Sequence, residues 1–129
     1  MLIPEMSQFQ NVSLLLLRII TGIIFISSGW SHFTRPAERA ESIGMNRIFT
    51  FLLGVGEFAA GLFLALGIWT QPAAILLILV MLGAISFKIF RWRIGFYGKK
   101  STGWHYDLFI LLGALVILTT GGGKYILFA

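Results

Sequence analysis

Glu57 stands at the centre of FTFLLGVGEFAAGLFLALGIWT, residues 49–70, a run with no other charge, and Arg18 interrupts the equally apolar VSLLLLRIITGIIFISSGWSHF, residues 12–33. A carboxylate or a guanidinium in hydrocarbon is costly, so each must face a partner, a ligand or a wet cavity. Their neighbours give each a face. Gly54, Glu57, Gly61 and Ala65 recur at helical spacing on one side of their run, and Arg18, Gly22, Phe25 and Gly29 on one side of theirs. Small residues let helices approach closely. One reading is therefore an Arg18–Glu57 ion pair that fixes helix register; the other is a polar site contacting a quinone carbonyl, a small anion or a proton.

Four more ionisable residues, His32, Lys88, His105 and Asp107, fall near the ends of apolar runs. Lys88 and Asp107 could pair, although snorkelling of each to the interface is the simpler expectation. Two histidines could ligate a b-type haem, but both read as interfacial and nothing else marks a haem cavity. Cysteine is absent, which excludes thiol relays, thiolate-held iron–sulfur clusters and covalent c-type haem. No phosphate loop, metal-ligand set or Ser/His/Asp arrangement is present, so no catalytic residue can be named, no metal is expected and no cofactor is intrinsic. Any redox role must then consist of binding a carrier or a partner. A ubiquinone- or menaquinone-like ring needs an apolar slot with one or two polar groups for its carbonyls. Glu57, among Gly54, Gly61, Phe58 and Phe63, is the best place for one, which makes Arg18, Glu57 and Phe58 the candidate binding residues.

The elements that must position these groups follow from composition. Of 129 residues, 57% are hydrophobic and 12% charged, about half the charged share of a soluble domain. The expectation is an all-α integral membrane bundle of four transmembrane helices, at about 12–33, 48–69, 72–90 and 104–121, forming a single domain over 1–129. Pro36 and Gly44 punctuate the first loop, around a short surface helix near 37–43. GIWTQP makes the second loop a tight hairpin, and the third mixes basic residues with Trp92, Phe96 and Tyr97 as membrane interfaces do. Gly121, Gly122 and Gly123 should stop the last helix. Arg35, Arg39, Arg47, Lys88, Arg91, Arg93, Lys99 and Lys100 collect on the side of loops one and three, which predicts those loops cytoplasmic and both termini outside. The formal charge of +5 then reads as contact with anionic lipid, not nucleic acid. No cleavable signal is apparent.

LLLLRIITGIIFISSGWSHF, LLGVGEFAAGLFLALGIWTQPAAILL, MLGAI and GWHYDLFILLGALVILTTGGGKYIL, in that order, resemble the DoxX family of small bacterial and archaeal membrane proteins. Arg18, Glu57, the LG-x-W-T-x-x-A turn and the terminal TGGGKY carry the likeness. Departures are Gln71 where arginine is common, His105 for a frequent glutamate, and Gly122 for a frequent proline. The resemblance implies a four-helix protein of a prokaryotic cytoplasmic membrane, related to the membrane part of a thiosulfate:quinone oxidoreductase and to members of membrane-bound redox complexes. Three functions are open: a redox-associated subunit with a quinone-facing bundle, a non-catalytic accessory subunit of a larger complex or homo-oligomer, and, behind these, a small-solute or proton pathway. The first predicts an apolar slot beside Glu57, the second a dry and fully paired Glu57, and the third a polar line from Glu57 to Asp107. The apolar residues between those two depths weigh against the third.

Overall fold

The computed structural model describes residues 2–99 and 102–128; Lys100, counted above on the basic side, lies outside them. A 3₁₀ turn over Pro4–Phe9 leads into α1, Gln10–Thr34. Then follow α2, Pro36–Ile43, α3, Arg47–Leu66, α4, Thr70–Ser86, and α5, Trp104–Thr120. Pro36 opens α2 at a position where its missing N–H costs nothing, and Gly44, at φ 73°, closes it. Asn46 caps α3 by accepting from Phe49 N at 2.6 Å. Gly67 and Gly121, at φ 78° and 79°, end α3 and α5 in the left-handed conformation that glycine adopts without strain. A single π-helical turn, Phe87–Arg91, prolongs α4.

Pro4–Thr34, Arg47–Leu66 and Thr70–Arg91 are each long and apolar enough to cross a membrane. α5, with 17 residues, reaches about 25 Å, at the short end of what spans hydrocarbon. Large apolar side chains such as Leu16, Leu52, Leu79 and Phe109 point outward, the inverse of a soluble protein, and meet lipid. The chain is a multi-pass membrane protein built as an all-α bundle.

α1 and α3 form the tightest pair. They meet backbone to backbone: a methyl group added at Gly29 would lie 2.5 Å from Phe58 N and 2.6 Å from Gly54 O, and one at Gly22 would lie 2.6 Å from Gly61 O. The two small-residue faces expected from the sequence are thus one interface. α4 and α5 form a second pair, and the contacts between pairs are sparser. Phe25, Leu64, Leu77, Ala114 and Ile117 fill the shared core.

The start of α1, the α3–α4 turn and the C-terminal segment share one end of the bundle. There Lys124 N donates to Asn11 Oδ1 at 2.9 Å and Trp69 N to Phe128 O at 3.0 Å. At the other end Arg91 Nη2 donates to Gly44 O at 3.1 Å, joining the end of α4 to the turn before α3.

Candidate functional site

α1 carries one buried line: Leu14, Arg18, Gly22, Phe25, Gly29 and His32. The glycines set its register against α3, so that Glu57 stands level with Ser28. Ser28 Oγ donates to Glu57 Oε2 at 2.8 Å, and His32 Nδ1 lies 3.3 Å from the same oxygen. His32 Nδ1 is also 2.8 Å from Ser28 O, one turn back on its own helix. Glu57 is 3% exposed and His32 5%. A carboxylate so buried needs partners: the serine donates a hydrogen bond, and the histidine nitrogen lies within charge-pairing distance.

The expected Arg18–Glu57 pair is not formed. Ser28, level with Glu57, is ten residues along α1 from Arg18, about 15 Å, which exceeds the reach of the side chain. Arg18, fully buried, turns toward the opposite end. Its Nε donates to Gly122 O at 3.0 Å, Nη1 to Leu64 O at 3.1 Å, and Nη2 to Tyr125 O. Three carbonyls at the ends of α3 and α5 and in the tail take the place of a carboxylate. Those carbonyls lie where helices and tail leave backbone acceptors without intrahelical partners.

Lys88 and Asp107 do pair, at 2.7 Å, with side chains 15% and 7% exposed, so snorkelling is not what they do. The π-helical turn carries Lys88, and such turns recur at functional sites. Asp107 sits in the first turn of α5, where the helix dipole favours a negative charge.

A cavity of about 500 Å³ lies between the two helix pairs and brings the Glu57–His32 contact and the Lys88–Asp107 pair into one wall. Ser28, His32 and Glu57 line it from α1 and α3, and Lys88, Tyr106 and Asp107 from α4 and α5. Arg39 of α2 lines it as well, with a buried Nε that has no partner among the described residues. The remainder of the wall is apolar or aromatic, including Phe25, Phe49, Leu53, Ala84, Phe87 and Trp92. One hollow spans the depths of Glu57 and Asp107, and its wall between them is mostly apolar.

Of the sequence candidates, Glu57 lines this cavity; Arg18 and Phe58 do not. Phe58 packs edge-on to Phe33, at 5.5 Å between ring centres, and beside Trp30, which is 57% exposed. His105 Nδ1 lies 2.7 Å from Phe96 O, and the ring lines a separate apolar groove, so the two histidines are not brought to one site. His32 had a signal in the sequence: it extends the buried line of α1 by one turn beyond Gly29. Ser28 and Arg39 had none, because a serine beside that line and a surface-helix arginine are unremarkable until the tertiary fold places them.

A helical membrane bundle whose interior charges meet in a largely apolar hollow defines the general class. The DoxX family model matches residues 13–90, and the chain belongs to the DoxX family. It is 32% identical over 127 residues to "Uncharacterized membrane protein Rv3486" of Mycobacterium tuberculosis, covering 88% of this chain and 77% of that protein. It is 28% identical over 120 residues to "Putative oxidoreductase CatD" of Bacillus subtilis, covering 90% of this chain and 84% of that protein. No solved structure matches the chain significantly.

Proposed function

We propose that the cavity binds a quinone-type ring and that the protein is the membrane subunit of a redox complex, with electrons supplied by a partner. The observation that carries this reading is the single hollow of about 500 Å³, mostly apolar, with Glu57, His32, Lys88 and Asp107 in its wall. Pockets of that size suit an amphipathic ring held by a few polar groups. Lys88 Nζ and Arg39 Nε are donors for ring oxygens, while Phe49, Phe87 and Trp92 offer faces and edges to the ring. The relative named as an oxidoreductase supports the redox assignment.

A proton or solute pathway gains from the same hollow but needs an exit at both ends. The lining contains no residue of the Arg18 end, where Arg18 and Thr70 bond the carbonyls of Gly122 and Gly121. A closed outer end favours a site over a passage.

Purified protein in lipid nanodiscs should bind decylubiquinone, measured by quenching of tryptophan fluorescence. Ala84→Phe, which fills the cavity, should abolish the saturable part, and Lys88→Met should weaken it by about tenfold through loss of a charged donor for a ring oxygen. Unchanged binding in Ala84→Phe would remove the cavity from consideration.

The membrane is, on this reading, a prokaryotic cytoplasmic membrane with the cavity toward the cytoplasm. Arg35, Arg39, Arg47, Arg91, Arg93 and Lys99 lie on the loops and helix ends at the cavity end of the bundle, and basic residues favour the cytoplasmic side. A reporter active only in the cytoplasm should work when inserted between α4 and α5 and stay silent at the C-terminus. The reverse pattern would invert the orientation and leave the cavity facing outward.

A further inference from the structure

We infer that α3 and α4 part toward the α2 end and open the cavity sideways into the bilayer, so that the cavity takes a ring carrying an isoprenoid tail, with the tail leaving through that cleft. This rests on the cavity reading proposed above and adds the class of its ligand and the route by which it enters.

Two stripes face each other across the cleft. On α4, Leu76, Leu79, Gly83 and Phe87 recur at helical spacing, and on α3 so do Gly56, Leu53 and Phe49, which puts each set on one side of its helix. The stripes touch at Gly56, where an added methyl group would lie 3.7 Å from Leu76 Cδ2, an ordinary contact. Phe49 and Gly83 each lie seven residues further toward the α2 end, about 10 Å along either helix. There the contact is lost. A methyl group at Gly83 would meet nothing within 4 Å. Phe49, Leu53, Leu79, Gly83 and Phe87 all line the cavity, yet Phe49 is 45% exposed, Leu79 is 59% exposed and Gly83 is exposed as well. Residues that belong both to the wall of a hollow and to the outer surface mark its opening.

This opening faces hydrocarbon. It lies between the spans Arg47–Leu66 and Thr70–Arg91, and the adjoining Leu52 and Leu82 are exposed leucines. Neither stripe contains a polar side chain. On the α1–α5 side the wall is closer: Ile24 and Ser28 are half-buried and Ile110 is buried, while the exposed Tyr106 stands in the first turn of α5, at the end of its apolar run.

A ring dissolved in lipid through its tail can reach Glu57, Lys88 and Asp107 by this route without crossing water. The tail gains little by exchanging lipid for protein, because lipid chains are as apolar as leucine. It needs an exit and not a fitted groove, which is what two diverging apolar stripes supply. A water-soluble ligand would need a polar approach, and the cleft offers none.

A ubiquinone analogue with a diazirine in the first isoprene unit of a tetraprenyl tail would be irradiated with the protein in nanodiscs. Adducts that excess decylubiquinone suppresses should fall in residues 49–56 and 76–83. Suppressible adducts confined to residues 24–28 or 106–110, or cleft adducts that decylubiquinone does not suppress, which would report bulk lipid contact, overturn the inference. The cavity reading is judged separately: saturable decylubiquinone binding above the Ala84→Phe background leaves it standing, and absence of that binding removes it and this inference together. Gly83→Phe, made where an added Cβ meets nothing, should obstruct the tail and weaken binding of the tetraprenyl quinone by about tenfold or more, the scale of overpacking. The tail-free ring should bind this variant within about twofold of wild type. Equal affinity of wild type and Gly83→Phe for the tetraprenyl quinone, or an equal loss of both ligands, also overturns the inference.

Discussion

Gly54→Val should prevent the bundle from assembling. A methyl group at that position would already lie 2.6 Å from Phe33 N, 2.7 Å from His32 Cβ and 2.8 Å from Gly29 O, and two of these are backbone atoms that no rotamer change can move. Relief requires α1 and α3 to separate along their length, because Gly22 and Gly61 hold the same close approach two turns away. Helices in lipid associate largely through such packing, without the hydrophobic drive available in water. Overpacking a tight site typically costs about 1–3 kcal/mol, and here the loss of the remaining interface adds to it. The measurement is the yield of monodisperse protein in mild detergent, which should fall close to zero for Gly54→Val and for Gly29→Val. Gly83→Val, where an added Cβ meets nothing within 4 Å, should behave as wild type. Normal yields for the first two variants would show that the helices are not in backbone contact.

Arg18→Leu should release the C-terminal segment. Two of the three Arg18 donations, to the Gly122 and Tyr125 carbonyls, help draw residues 121–125 over the end of α1 and α3, beside the bonds of Thr70 Oγ1 to Gly121 O and of Lys124 N to Asn11 Oδ1; the third goes to Leu64 O of α3. Removing the three donations strands buried acceptors at about 1–3 kcal/mol each, so a total loss of about 3 kcal/mol or more is expected even after the leucine recovers some packing. Arg18→Lys should rescue only part of this, because one ammonium cannot reproduce a planar fork aimed at separate oxygens. Thermal unfolding in detergent reads the stability. Limited proteolysis reads the tail, which should become cleavable after Lys124 in Arg18→Leu at temperatures where the wild type resists. Glu57→Gln should leave the tail protected. Equal protection of wild type and Arg18→Leu would mean that the tail is held by other contacts, such as the bonds of Leu127 N and Phe128 N to Gly67 O at 3.0 Å.

Both variants bear on what the sequence could disclose. The apolar runs and their punctuation by Pro36, Gly44, Gly67 and Gly121 made the helices legible, since length, hydropathy and glycine at left-handed positions are local properties. The glycine faces of α1 and α3 were legible for the same reason. What faced Glu57 was not. Counting residues inward from loop ends places Arg18 and Glu57 close enough to suggest a pair, but the register of two helices is set by which glycine meets which backbone atom. That register puts Ser28 beside Glu57. Arg18 found carbonyl partners in a tail that returns over the bundle, a non-local event with only the three glycines at 121–123, all at positive φ, to hint at it. His32 could have been reached by extending the line from Arg18 through Gly29 by one more turn. The meeting of the Glu57–His32 contact with the Lys88–Asp107 pair depends on α4 and α5 packing less closely against α1 and α3 than within their own pair, and no single segment encodes that spacing.

The central claim is that the hollow beside Glu57 takes a quinone-type ring, and photolabelling tests it most directly. A short-chain azidoquinone would be irradiated with the purified protein in nanodiscs and the labelled peptides identified by mass spectrometry. The account predicts label on the cavity wall, in residues 49–57 and 79–92, with the label suppressed by excess decylubiquinone and absent in Ala84→Phe. Label confined to the outer groove of Phe96, His105 and Phe109, or equal labelling of wild type and Ala84→Phe, would contradict it.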